Sequence, residues 1–111
     1  MNKFLTYCVD AYIENATDKI TDYLSVQGYW DMVNGEQETS NIGKKRAERL
    51  LKIRDQLEAM TRDTSWISDD AYSDEVTEAI LYLLAHVDSD DVRPDVLSDV
   101  EETLFKPRDK K

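Results

Sequence analysis

The fold of this chain is set first by the stretch KFLTYCVDAYIENATDKITDYLSVQ, residues 3–27. Its apolar side chains recur at steps of three and four residues, which places them on one face of an α-helix. They are Phe4, Leu5, Cys8, Val9, Tyr12, Ile13, Ala16, Ile20, Tyr23 and Leu24. Gly28 follows where a left-handed residue commonly ends a helix. We predict one long amphipathic helix, or two shorter ones if the Thr17 hydroxyl caps a second helix.

A second helix is predicted from about Asn41 to Arg62, after the polar run 36–40, which is typical of an exposed loop. Its apolar residues follow the three-four alternation of a coiled-coil seam. The seam consists of Ala47, Leu50, Ile53, Leu57 and Met60, and Leu51 widens it. We expect this helix to pack along a neighbouring helix.

The densest apolar stripe of the chain follows Ser73. It consists of Val76, Ala79, Ile80, Leu83, Leu84 and Val87. Leu81 and Tyr82 extend this stripe nearly around the helix, which predicts the most buried element of the domain. Either Ser68 or Ser73 is expected to cap the helix.

A final helix is predicted to start at Pro94, because proline is preorganised for a first helical turn. Its inward-facing residues are Val96, Leu97, Val100 and Leu104. Residues 29–33 fit either a short helix or an extended segment, and no segment shows sustained strand alternation. The sequence therefore predicts an all-α bundle of four main helices, with or without a short fifth, as a single domain over residues 1–105. Residues 106–111 form a basic tail without an apolar face, and we expect it to be mobile.

The composition is strongly acidic. Lys and Arg total 14 against 24 Asp and Glu, which gives a net charge of −10 and a pI near 4.4. The field of the whole molecule therefore opposes direct binding to nucleic acid or to an anionic membrane. No apolar run approaches the roughly 18 residues that a membrane span requires. Because no secretory signal pattern opens the sequence and Cys8 has no partner for an internal disulfide, we expect a cytoplasmic location.

Acidic side chains recur at every fourth position along the first predicted helix and again near the C-terminus. The first acidic row is Asp10, Glu14, Asp18 and Asp22, and a C-terminal row is Asp91, Asp95 and Asp99. Like charges at this spacing repel by a few tenths of a kcal/mol per pair, so the rows oppose folding slightly. Their axial spacing of about 6 Å is close to that of phosphates along a nucleic-acid strand, on the order of 7 Å. Both rows are therefore candidates for contact with a basic partner surface.

The charges are also divided along the chain. Residues 63–102 hold thirteen acidic side chains and one basic one, whereas six of the 14 basic residues lie in residues 44–54. A third acidic group lies at the start of the predicted helix that carries the densest apolar stripe. It consists of Asp69, Asp70, Asp74, Glu75 and Glu78. Two alternatives apply to these groups. They form a solvated face of a merely soluble protein, or the chain's own cations neutralise them in surface pairs worth less than about 1 kcal/mol each.

Aromatic residues beside the third acidic group are candidates for an interface. If Trp66 and Tyr72 are exposed, their acidic surroundings would make them a contact centre, because Trp and Tyr are favoured at interface hot spots. Core packing is the alternative for Tyr72 and the favoured role for Trp30.

Nothing in the sequence favours an enzyme, a cofactor or a metal site. Cys8 and His86 are the available nucleophile and base, but Cys8 lies on an apolar stripe and is expected to be a small buried hydrophobe. A calcium loop starting at Asp88 fails because Arg93 stands where glycine is required and Asp99 replaces the bidentate glutamate. One Cys and one His are too few to complete the four ligands of zinc.

In charge, size and predicted helicity, the chain is similar to the small acidic DNA-mimicking inhibitors of phages and mobile elements, the anti-restriction and anti-CRISPR proteins. This resemblance implies a non-enzymatic protein that inhibits a nucleic-acid-handling protein by occupying its basic surface. Such a protein would bind neither nucleic acid nor membrane and would act as a monomer or homodimer. Two alternatives are an immunity protein or antitoxin that neutralises a nuclease-type toxin, and an oligomeric structural or adaptor protein that pairs through the seam.

Overall fold

The computed structural model describes residues 3–87 and 94–105, with side chains from Asp10 to Val87 and from Leu97 to Phe105. Within these ranges all regular structure is helical, which confirms the predicted all-α bundle of four main helices and a short fifth. The helices are α1 (Lys3–Val26), α2 (Tyr29–Val33), α3 (Lys44–Arg62), α4 (Asp70–His86) and α5 (Pro94–Phe105). A single 3₁₀ turn, Ser65–Ser68, connects α3 to α4. The basic tail lies outside the described residues.

The helix α1 is continuous rather than divided at Thr17. The Thr17 hydroxyl donates to the Glu14 carbonyl at 2.9 Å, one turn back, so it does not cap a new helix. The helix ends before Gly28, whose φ of 79° is left-handed, and a Cβ there would collide with the Gln37 side chain. Residues 29–33 then form α2, and the Trp30 indole N–H donates to the Thr21 carbonyl at 3.2 Å, which holds α2 against α1.

The four long helices form a ring, in which α1 and α5 each pack against both α3 and α4. Arg54 of α3 contacts Thr21 of α1, and Glu58 of α3 lies beside Asp10, so α1 and α3 are antiparallel. The Tyr72 hydroxyl, near the start of α4, donates to a carbonyl of the last turn of α5, so these two helices are also antiparallel. α3 and α5 are parallel, because later residues of α3 contact later residues of α5. Therefore α1 and α4 also run in the same direction.

The core lies along the axis of this ring. It is formed by Ile13, Ala16, Ile20 and Leu24 of α1, Leu50, Ile53 and Leu57 of α3, Val76, Ile80 and Leu83 of α4, and Leu97, Val100 and Leu104 of α5. The whole seam of α3 is therefore buried against the chain's own helices. Pairing of two copies through this seam would require the bundle to open.

Two predictions for α4 are wrong. Its N-cap is Asp69, whose carboxylate accepts a hydrogen bond from the Tyr72 backbone N–H at 3.1 Å, rather than Ser68 or Ser73. The helix is also buried on one face only, since Leu81 and Tyr82 are 45% and 39% exposed. Two neighbouring helices, α1 and α5, cover the inner side of α4. No third helix of the described ring covers its outer side.

The Asp69 cap gives a direct test of where α4 begins. We expect Asp69→Ala to lower the free energy of unfolding by about 1 kcal/mol, because the Tyr72 N–H loses its acceptor. Asp74→Ala is the matched control, since Asp74 is exposed and its side chain makes no hydrogen bond with a described residue. Its effect should stay within about 0.5 kcal/mol. Urea unfolding measures the free energy of unfolding of both variants. Equal losses of stability would contradict Asp69 as the N-cap of α4.

Candidate functional site

The first acidic row is fully solvent-facing along α1. Asp10, Glu14, Asp18 and Asp22 are all exposed. Each four-residue step rises by about 6 Å and turns by about 40° around the helix axis, so the row winds across the outer face. Asp10 and Glu14 line a groove between α1 and α3, together with Glu58. Asp18 and Asp22 line a different depression, which reaches the end of α1. The first acidic row is thus divided into two adjoining pairs of carboxylates, and each pair lines a different depression of the surface.

The first acidic row is not neutralised by neighbouring side chains. None of its carboxylates forms an ion pair or a hydrogen bond with another described residue. Lys19 lies within the span of the row, and its ammonium group donates to the Leu84 carbonyl of α4 at 2.7 Å. The row therefore keeps its charges available to solvent or to a partner.

Three of the four arginines of α3 contact neighbouring helices instead. Arg49 forms a two-point contact with Glu101 of α5 at 2.6 and 3.0 Å, and these hydrogen bonds raise the pKa of Arg49. Arg54 donates to the Thr21 hydroxyl at 2.9 Å and lies 5.6 Å from the centre of the Trp30 ring. These contacts join α3 to its neighbours and do not involve the first acidic row, whose carboxylates are exposed as in a solvated face or a contact surface.

Arg46, at the start of α3, also contacts a neighbouring helix. Burial lowers the pKa of Arg46, and a hydrogen bond with the Tyr23 side chain opposes that shift. The guanidinium of Arg46 therefore contacts Tyr23 of α1, the residue before the buried Leu24. Lys44, Lys45 and Lys52, by contrast, are exposed.

The third acidic group surrounds the start of α4. Asp69, Asp70, Asp74, Glu75 and Glu78 are all exposed. Three of them, Asp70, Asp74 and Glu78, form a further row at four-residue steps, which we call the α4 row. The four-residue spacing of this row is visible in the sequence, but the group was interpreted there as favourable charge near the helix N-terminus. α1 and α4 run in the same direction, and the contact of Lys19 with the Leu84 carbonyl places the middle of the first acidic row beside the last turn of α4, beyond the α4 row.

The C-terminal row is described only in part. Asp99 is exposed on α5. Asp95 lies within α5, but its side chain is outside the described residues, and Asp91 is outside them altogether.

The aromatic residues beside the α4 row belong mainly to the bundle. Trp66 is buried, since only 2% of it is accessible and its indole N–H donates to the Met60 carbonyl at 3.0 Å, so it does not meet the condition for a contact centre. The 3₁₀ turn directs this side chain under the end of the bundle. Tyr72 is half-buried, meets the edge of Trp66 at 6.5 Å between ring centres, and donates to the Thr103 carbonyl at 3.3 Å. Trp30 is half-buried and packs against the core, as its favoured role predicts.

The described part of the chain holds no cluster of three His, Cys, Asp or Glu side chains arranged to bind a metal ion. Among the helices described, none combines the length and the apolar character that a membrane span needs. Comparisons of the chain with protein-family models, with curated proteins and with solved structures give no match.

Proposed function

We propose that this chain is a non-enzymatic cytoplasmic protein that inhibits a nucleic-acid-handling protein by occupying its basic surface. The observation that carries the proposal is the set of exposed, unpaired carboxylates on two neighbouring helices of the same direction, α1 and α4. These are the first acidic row and the α4 row.

The spacing of the carboxylates suits a surface that normally holds phosphates. Neighbouring members of a row are about 6 Å apart along the helix axis, and phosphates on one strand are separated by a distance on the order of 7 Å. A groove lined by Lys and Arg would therefore meet successive negative groups at a familiar interval. The net charge of −10 also steers the protein towards such a groove over a distance, which accelerates association at low salt.

The position of the cations supports the proposal further. A protein that used its carboxylates for internal pairing could place its basic helix against them. In this bundle three of the four arginines of α3 contact Glu101, Thr21 and Tyr23 instead, none of which belongs to either row. The rows repel internally by a few tenths of a kcal/mol per pair, and an external cationic surface removes that repulsion.

Charge reversal in the first acidic row tests this proposal. We expect Glu14→Lys with Asp18→Lys to slow association with the basic partner by about tenfold or more and to flatten its salt dependence. The matched control is Glu36→Lys with Glu38→Lys, which makes the same change in net charge in the exposed loop before α3. Both variants should keep the helicity of the wild type, as measured by circular dichroism.

The partner is to be recovered from host lysate on immobilised wild-type protein at about 0.05 M salt and released at about 0.5 M, where the screening length is only a few ångströms. A nucleic-acid-binding protein held by the wild type and the loop control, but not by the α1 variant, supports the proposal. Equal retention by all three proteins would remove the first acidic row from the interface. A nuclease toxin as the partner, with rescue of growth, would identify the inhibitor as an antitoxin.

A further inference from the structure

The outer face of α4 carries an apolar pair directly after its acidic row. Leu81 and Tyr82 are 45% and 39% exposed, and Ala85 is exposed one turn later. Four-residue steps place Tyr82 next in line after Glu78, since successive members of such a row are neighbours on the helix surface. The outer face of α4 is thus acidic in its first half and apolar in its second half.

Folding of the chain does not account for this apolar pair. The inner face of α4 is filled by Ile80 and Leu83, both with no accessible surface, so the bundle core is complete without Leu81 and Tyr82. The Tyr82 ring meets the ring of His86 at 4.6 Å between centres and an angle of 64°, which supports it from the next turn. An aromatic and a branched aliphatic side chain are therefore presented together on one rigid helix, the arrangement that interface hot spots use.

We propose that the α4 row, Leu81 and Tyr82 form one composite docking surface for an amphipathic basic segment of a partner protein. The partner's basic side chains would face Asp70, Asp74 and Glu78, and its apolar side chain would cover Leu81 and Tyr82. This inference rests on the proposed function, because it assigns the contact centre of the same interaction.

Charge complementarity selects this occupant over a second copy of the chain. Two copies would each bring a net charge of −10, and an apolar contact between them would form against that repulsion. A basic segment has its charges attracted by the first half of the α4 face while its apolar part is covered by the second half. Electrostatic attraction then aids the encounter, and the apolar contact slows dissociation.

Two synthetic peptides of about fourteen residues, enough for roughly four helical turns, serve as probes. One has Lys in its first half and Leu among Ser in its second half, and the other replaces every Leu by Ser. The proteins are the wild type, Leu81→Gln with Tyr82→Gln, and Val33→Gln. Gln keeps the helix propensity high, and Val33 is the matched control because it is 56% exposed on α2, away from this face.

We expect the wild type and Val33→Gln to bind the Leu peptide roughly tenfold more tightly than the Ser peptide. In the double variant this preference should vanish while binding of the Ser peptide stays unchanged. Tyr82→Gln alone should reduce the logarithm of the ratio of affinities for the Leu and Ser peptides by about half. Circular dichroism and urea unfolding verify that each variant is folded.

Other results would overturn the inference. They are equal binding of both peptides by the wild type, a preference that persists in the double variant, or an equal loss in Val33→Gln. A concentration-dependent dimer in sedimentation that the double variant abolishes would assign the pair to a second copy. Failure of the proposed function has a different signature, since then neither peptide binds and no basic partner is released by salt, and both proposals fall together.

Discussion

Trp66→Ala is expected to lower the free energy of unfolding by about 3–5 kcal/mol, the usual range for removing a large buried aromatic side chain. Trp66 is 2% exposed and occupies the end of the bundle, where the chain passes from α3 to α4. Its loss leaves a cavity beneath the edge of Tyr72 and removes the hydrogen bond to the Met60 carbonyl. A domain of this size is commonly stable by about 5–15 kcal/mol, so the loss is a large fraction of the total.

Trp66→Phe separates the two contributions. Phenylalanine keeps much of the ring in the cavity but has no N–H for the buried Met60 carbonyl, whose unpaired state costs about 1–3 kcal/mol. We therefore expect Trp66→Phe to lower the free energy of unfolding by about 1–3 kcal/mol, less than Trp66→Ala. Urea unfolding followed by circular dichroism gives both values. A loss below about 1 kcal/mol for Trp66→Ala would contradict the burial of this side chain.

The periodicity of apolar residues predicts most of this fold because helices are local structures. The spacing in residues 3–27 and the seam of α3 each define a buried face without reference to any other segment. Gly28 predicts the end of α1 for an equally local reason, since the left-handed backbone favours glycine. Predicted and observed boundaries of these helices differ by at most a few residues at their ends.

Properties that depend on several helices were beyond this kind of prediction. The stripe of α4 looked buried nearly all round, but how much of a helix is covered depends on how many neighbours it has, and here α1 and α5 leave Leu81 and Tyr82 outside. The burial of Trp66 likewise depends on the path of the 3₁₀ turn.

The candidate site shows the same division. The acidic rows were visible as spacing, and their exposure follows from their position opposite the apolar face of a helix. Which cations pair with which anions was not visible, because Arg49 and Glu101 are 52 residues apart and meet only when α3 packs against α5. For the same reason the sequence alone left open whether the first acidic row is neutralised internally.

Ile80→Ala is expected to lower the free energy of unfolding by about 2–5 kcal/mol, whereas Leu81→Ala on the next residue should cost less than about 1 kcal/mol. Ile80 has no accessible surface, so its truncation leaves a cavity in the middle of the ring of helices. Leu81 already contacts solvent over 45% of its surface, and its truncation leaves no enclosed space. Alanine is the best helix former, so neither change weakens the helix by propensity.

This adjacent pair tests the orientation of α4, on which the composite docking surface depends. Both residues are apolar, similar in size and one position apart, so a difference in their costs reports which face of the helix points into the core. Comparable losses would mean that α4 is enclosed on all sides, and Leu81 would then be unavailable to any partner. A large difference would mean that Leu81 contributes little to folding, so that it can be substituted in a binding experiment while the bundle stays intact.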